Sequence, residues 1–511
     1  MVATIHGRVQ PVPRVRLASP TSNPDDELPF RILVVADAVG RRQSVPMGLR
    51  RPETVTDGGL STAVAKLQPT AGGLRWSTVA GPTVVEVTAQ LSELAALATR
   101  RRAALQAEST VDGRLRRDVE AALLAERLAD GVATALDQPA VRRLGGLWTA
   151  LEILVAHAGR GVEVALLAAT RDELEEDLGD APELTQSGLY QTIYAAEYGQ
   201  HGGRPWGLLV SDLAIGNQSR DIGLLRRFAA LAALAAMAHA PLILDAVPGL
   251  LGLADWTGLT GLVDVEAGLG TPTAFAALRR HDDARHIGLA LPPVPVGAAA
   301  RAGGERPMAP ASLIVAARLA ACHAASGWCV TAAGSGPTAE VAVPALAPWS
   351  SGEQQPATPC LLTELQAHDL AAQGLIALCA DRRRSAVAMP ALPSLYLGGD
   401  QVPAQLGLML LVDRVAHHLK VLQREQLGTH ISHQELERVL TDWLDRHVAD
   451  GQVDDAMVRL SRPLRSARVR VQPVPGHAGW LRADLSLCPY LPGAAGDVEL
   501  SLTSRLERPT S

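Results

Sequence analysis

Chemistry in this chain would have to come from a few places. Residues 195 to 212, AAEYGQHGGRPWGLLVSD, set four glycines and a proline between a helix pattern and a strand pattern, the composition of a loop that grips a phosphate. Such a loop also needs a lysine for the phosphates and a hydroxyl for magnesium, and it opens a helix. GQHGGRPWG has neither residue and runs into a strand, so a dinucleotide fingerprint fails with it. The glycines suit a turn with positive φ ahead of a buried strand. Asp212, at the end of that strand, has the type and place of a catalytic carboxylate, and equally those of a cap or a loop hydrogen bond.

The other candidates are thinner. His417 and His418 are adjacent and His430 and His433 are three apart, without HExxH or another convergent ligand set. Cys322, Cys329, Cys360, Cys379 and Cys488 form no CxxC pair and no even disulfide framework, which suits small buried residues in a reducing compartment. Neither a GxSxG elbow nor the kinase motif set is present. The chain therefore reads as a non-enzyme, with no catalytic, cofactor-binding or metal-ligating residues assigned. One alternative is a metabolic α/β enzyme with a pocket near Asp212 and His239.

The elements that would position such residues follow from length and pattern. A chain of 511 residues is long enough for two to four domains with cores that need no cross-links. A net charge of −6 suggests neither nucleic acid nor an anionic membrane as partner, and Arg100 to Arg102 and Arg382 to Arg384 lack the interleaved aromatics of a nucleic-acid surface. No signal peptide or uninterrupted run of eighteen apolar residues occurs, which predicts a cytoplasmic protein without membrane insertion.

Residues 3 to 10 alternate like a strand and lead into a Pro-rich tether, so 1 to 28 read as a detached arm with no local pairing partner. FRILVVADAVG, 30 to 40, is an apolar strand; Leu60, Val64 and Leu67 are spaced for a helix; Thr83 to Val87 reads as a strand and 91 to 105 as a helix. A polar junction, 106 to 114, precedes a helix whose Leu115, Val119, Leu123, Leu128, Val132 and Leu136 share a face. Helices and strands then alternate to about 283, with strands at 162 to 168, 206 to 213 and 242 to 247, which argues for a mixed central sheet flanked by helices in an α/β (α+β) fold. Segment 334 to 360 is loop-like. Helices at 404 to 427 and 432 to 449, the second with a Ser432/Glu435 capping box, precede period-two strands within 467 to 507.

Certain motifs carry a resemblance. YxxEYGxxGGxPWGxLxxD at 194 to 212, HAPLI at 239 to 243, PGLLGLADWTGL at 248 to 259, ALRRHDDARHIGLALP at 277 to 292, and VAHHLKVLQREQLGTHISHQELERVLTDWL at 415 to 444 occur in one order with the terminal DVELSLTSRL. Together they closely resemble the large subunit of the type VI secretion contractile sheath (TssC, or VipB), over nearly all of 115 to 507. PFRILVVADAVGRR at 29 to 42, RRPETV at 50 to 55 and the helix at 91 to 105 are similar to the small sheath subunit (TssB, or VipA). The resemblance implies both subunits in one chain: arm 1 to 28, small-subunit-like region 29 to 105, junction 106 to 114, and large-subunit-like region 115 to 511 with terminal strands 467 to 507.

It implies a structural protomer that polymerises helically around an Hcp-like inner tube, meets baseplate components, and contracts to propel the tube. Exchanged terminal strands would stitch neighbouring copies, through Ile5, Val9, Val498, Leu500 and Leu502. The inner-tube contact would map to Arg424, Glu425, Glu435, Glu437, Arg438, Asp442 and Asp445. A ClpV-type ATPase is a further implied partner, although the stretch ahead of 115 lacks most of the long region that presents sheath to it. An alternative within the same class is the sheath of another phage-tail-like particle, contractile or not.

Overall fold

The computed structural model describes residues 3–8, 28–56, 58–106, 111–200, 202–216, 219–270, 273–301, 303–334, 340–342, 357–380, 386–398, 403–425, 432–449, 461–473, 475, 480–490 and 498–505. In chain order the principal elements are β1 (Ala3–Arg8), β2 (Phe30–Ala36), β3 (Glu53–Thr54), α1 (Gly59–Leu67), α2 (Val84–Gln90), α3 (Ser92–Gln106), α4 (Val111–Leu136) and α5 (Pro139–His157). There follow β4 (Val162–Ala168), α6 (Arg171–Asp180), β5 (Leu208–Ile215), α7 (Ser219–Ala238), β6 (Leu242–Ala246), β7 (Ile287–Leu291), α8 (Ala311–Ser326), α9 (Glu364–Ala372) and β8 (Leu375–Ala377). The chain continues through α10 (Leu406–Glu425), α11 (His433–Asp445), β9 (Leu464–Pro473), β10 (Trp480–Pro489) and β11 (Val498–Arg505).

Seven strands make the central sheet, in the order β8-β7-β6-β5-β2-β4-β3, parallel throughout except where the edge strand β3 runs against β4. The strand from the first forty residues lies near the middle, with Ile32 opposite both Val164 of β4 and Leu208 of β5. A parallel strand covered on both faces must be apolar on both. Phe30, Ile32, Val34 and Ala36 enter one core with α5 and α8, while Leu33 and Val35 enter the other with α6, α7 and α9. Regions 29 to 105 and 115 onward therefore share one sheet and its cores. The junction separates two resemblances within a single fold, and its residues 107–110 lie outside the described ones, as does most of the loop at 334 to 360.

Two local expectations are corrected. Thr83 to Val87 is not a strand but the start of α2: Thr83 Oγ1 accepts from the Glu86 amide and the Glu86 carboxylate accepts from the Thr83 amide at 2.7 Å. That reciprocal cap satisfies amides a helix start would otherwise orphan and outweighs the β-branched pair Val84 and Val85, which stay exposed. On α4 the apolar stripe is only half used, since Val132 is buried while Leu115, Val119 and Leu123 are exposed.

A second, smaller sheet closes the chain. Strands β9, β10 and β11 form the antiparallel meander, with Val469 opposite Leu485 and Leu485 opposite Leu500. Helix α11 covers it through Leu436, Leu440, Trp443 and Leu444, which pack with Val469, Val471, Leu485 and Leu487; burial of a leucine of this kind is worth roughly 1.5–3 kcal/mol. The N-terminal arm, without a local partner and expected to join a sheet of a neighbouring copy, runs here as β1 parallel to β11 of the same chain, from Ala3 opposite Val498 to Arg8 opposite Thr503. The partner was hidden because it lies at the far end of the sequence. No helix among the described residues is long and apolar enough to cross a membrane.

Candidate functional site

The glycine-rich stretch is a turn built for anchorage. Gly202 has φ +76°, and a Cβ on Gly203 would lie 2.3 Å from the carbonyl oxygen of Glu197, so both positions need glycine. Arg31, from β2, stacks its guanidinium 3.8 Å over the Trp206 ring, bridges to Glu163 at 3.3 Å and Glu197 at 3.0 Å, and donates to the Arg204 carbonyl. The loop thus fastens β5 beside β2 with its charges paired internally.

Two of its carbonyls are held by α10. Arg424, placed on the tube-facing surface by the resemblance, is 7% exposed and donates to the carbonyl oxygens of Gln200 and, at 3.5 Å, Gly203. This corrects the expectation: the side chain spends its charge inside the fold. The same helix directs Arg414 to the Leu28 carbonyl at 3.1 Å, His417 to the Ala238 carbonyl at 2.9 Å and Asp413 to His239 and His286. Helix α10 therefore joins the central sheet to the terminal one, with Leu406 and Leu410 in a core of the first and Leu411, Val415 and Leu419 in that of the second.

Asp413 is 1% exposed, with Oδ1 3.0 Å from His239 Nδ1 and 3.4 Å from His286 Nε2. Burial raises its carboxyl, but the two imidazoles outweigh burial and hold it well below the usual carboxylate range. No motif spacing revealed this trio; the available signal was an aspartate inside the apolar run LGLMLLVDRVA, 406 to 416. His418, from the same helix, stacks with Trp443, His447 and Trp328, with successive ring centroids 4.6, 4.5 and 5.1 Å apart.

The other tube-facing candidates divide. Glu437, half-buried, accepts from the Val471 amide at 2.8 Å and so ties α11 to β9. Glu435, Arg438, Asp442 and Asp445 are exposed on α11, spaced by three or four residues opposite its buried stripe. Glu425 is the last residue of α10. Among the strand residues, Ile5 is opposite Leu500, Gly7 opposite Leu502 and Ala3 opposite Val498, whereas Val9 lies outside the described residues, as do His430 and Arg382 to Arg384.

Asp212 and His239, the residues of the enzyme reading, are each engaged by other groups. Asp212 accepts from the Asp37 amide at 3.3 Å and pairs with Arg143, while His239 turns to Asp413. Burial raises Asp212 to about 6, partly offset by Arg143. A separate cavity of about 690 Å³ is lined by Arg42, Arg50, Glu173 and Glu176, whose charges close on one another as Arg50–Glu173 and Arg42–Glu176 pairs.

Against this geometry, residues 120–303 match the family described as EvpB/VC_A0108, tail sheath N-terminal domain, and residues 399–506 match its tail sheath gpW/gp25-like domain. The first spans the strands and helices of the central sheet from α4 to β7, and the second spans α10, α11 and the terminal strands. Both domains are present in order, and the chain is a tail-sheath structural protein. More narrowly, it is of the large-subunit kind found in type VI secretion sheaths: it is 26% identical over 404 residues to the type VI secretion system sheath protein TssC1 of Pseudomonas aeruginosa, covering 71% of this chain and 80% of that protein. Among solved structures, a chain of the anti-feeding prophage baseplate aligns over 96% of this chain and 98% of its own, at 13% identity and TM-score 0.43. A sheath tail protein of Listeria innocua aligns over 63% and 60%, at 12% and 0.36.

Proposed function

We propose that the chain is a fused two-subunit protomer of a contractile type VI sheath, and that copies are stitched by passing β1 to the β11 edge of a neighbour. The observation that carries this reading is the parallel pairing of the two chain ends, six residues long and made of main-chain bonds. A β1 from another copy offers that edge the same groups in the same register, so the exchange costs no contact. Residues 9 to 29 can span up to about 70 Å when extended, at about 3.3 Å per residue, which gives the arm reach beyond its own fold. Head-to-tail exchange of this kind builds an open helix. Deleting residues 1 to 12 leaves a folded protomer that forms no long tubes in electron micrographs; tubes of ordinary length from the deleted chain overturn the reading.

The fusion is supported by β2, a strand of the small-subunit-like region that lies between two strands of the large-subunit-like region. Opening the chain between residues 107 and 110 and expressing both pieces together therefore yields a complex that co-purifies. An inner tube of Hcp-like rings fits the exposed charged row Glu435, Arg438, Asp442 and Asp445, whose screened contacts are individually weak and so releasable on contraction. Baseplate components would meet the end of the polymer. Recycling by a ClpV-type ATPase rests on the resemblance alone.

A further inference from the structure

We propose that His239, His286 and Asp413 bind a divalent zinc ion that clips α10 to the central sheet. The three ligand atoms lie within 4.8 Å of one another and come from three elements: the residue after α7, the turn ahead of β7, and the middle of α10. All three side chains are buried.

The separations suit a metal set as well as long hydrogen bonds. A charge-assisted N–H to carboxylate bond closes to about 2.7–2.9 Å. Here the nitrogen-to-oxygen distances are 3.0, 3.3 and 3.4 Å, with His286 Nε2 almost equidistant from the two carboxylate oxygens. Bonds of about 2.0–2.1 Å in a tetrahedron set ligand atoms about 3.3 Å apart. Asp413 Oδ2 has no hydrogen bond, nor does the wholly buried hydroxyl of Tyr198, whose ring stands 5.8 Å from that of His239. Asp413 is buried with one carboxylate oxygen left without a hydrogen bond, and a cation held among the three groups would satisfy it. Two imidazoles and one carboxylate suit zinc, with the fourth position of the tetrahedron left for a water. His239 has φ +52°, a left-handed conformation uncommon outside glycine that turns its ring toward α10.

The test uses the full-length chain, purified without chelator from zinc-supplemented medium, with metal content measured by inductively coupled plasma mass spectrometry. About one zinc per chain is expected, falling to about a tenth or less in His286→Gln and Asp413→Asn. Cobalt(II) added to chelator-stripped protein should give the visible bands of a tetrahedral site, and zinc should raise Tm by several degrees. A parental chain without stoichiometric zinc, whose Tm ignores added zinc, overturns the proposal; so does full occupancy in His286→Gln. Should Asp413→Asn not fold, the parental metal content and cobalt spectrum decide by themselves. None of these readouts depends on tube formation, so failure here leaves the sheath reading intact.

Discussion

Ser312 Oγ lies 3.0 Å from Asp245 Oδ2 and 2.9 Å from the Ser211 carbonyl, two oxygen neighbours for a hydroxyl with one proton. The arrangement closes if Asp245 is neutral: its own O–H donates to Ser312 Oγ, which donates to Ser211, while the Ser312 amide donates to Asp245 Oδ1 at 2.8 Å. Burial pushes this carboxyl up to about 7, against the lowering effect of those same Ser312 bonds. The trio pins the start of α8 to β5 and β6.

Asp245→Asn should therefore hold the fold, because the amide donates where the acid O–H did, whereas Asp245→Ala orphans the Ser312 amide and costs about 1–3 kcal/mol. The raised folded pKa means that stability from this group is full in acid and is lost as pH climbs from about 4 through about 7. Asparagine does not titrate, so its Tm relative to the parent should improve between pH 5 and pH 8. A constant difference across that range contradicts the neutral-acid assignment.

Histidines push the other way. Burial, reinforced by the charge of Arg414, drives His447 down to about 4, and burial with the same arginine lowers His323, which stacks 4.8 Å from Phe30. Both are neutral in the fold and take up protons once unfolded, below about 6.5. Their stability is present above that value and is lost as pH falls toward 4. Urea midpoints should drop between pH 7 and pH 5, and His447→Phe should flatten the drop.

Gly203→Ala forces a Cβ against the Glu197 carbonyl and should cost on the order of 1–3 kcal/mol. Arg424→Ala releases the same turn from α10 and should cost a similar amount. Because both act through residues 199 to 203, the double variant should lose less than the two single losses added together. Thermal or chemical unfolding of the four proteins measures the coupling.

Reversing Glu435, Asp442 and Asp445 to lysine should leave Tm nearly unchanged, since exposed substitutions usually stay within about 0.5 kcal/mol. Tubes should still form but lack an inner tube in micrographs. Filled tubes from the triple variant rule out this face as the contact.

Strand β4 at 162 to 168, the amphipathic α1 and α11, and the three terminal strands were all legible in the residue order, because burial on one face or two imposes a period that neighbours a few residues apart display. The motif series carried the sheath identity for the same reason: it consists of short runs in a fixed order. Where local signals conflicted, as at Thr83 to Val87, a side-chain cap decided against β propensity. Only the tertiary structure set β2 between β4 and β5, joined β1 to β11, turned Arg424 inward and brought Asp413 to His239 across 174 residues. Parallel pairing and buried charge are satisfied by whichever groups the packed chain brings within a few ångströms, and separation along the sequence carries no trace of that distance.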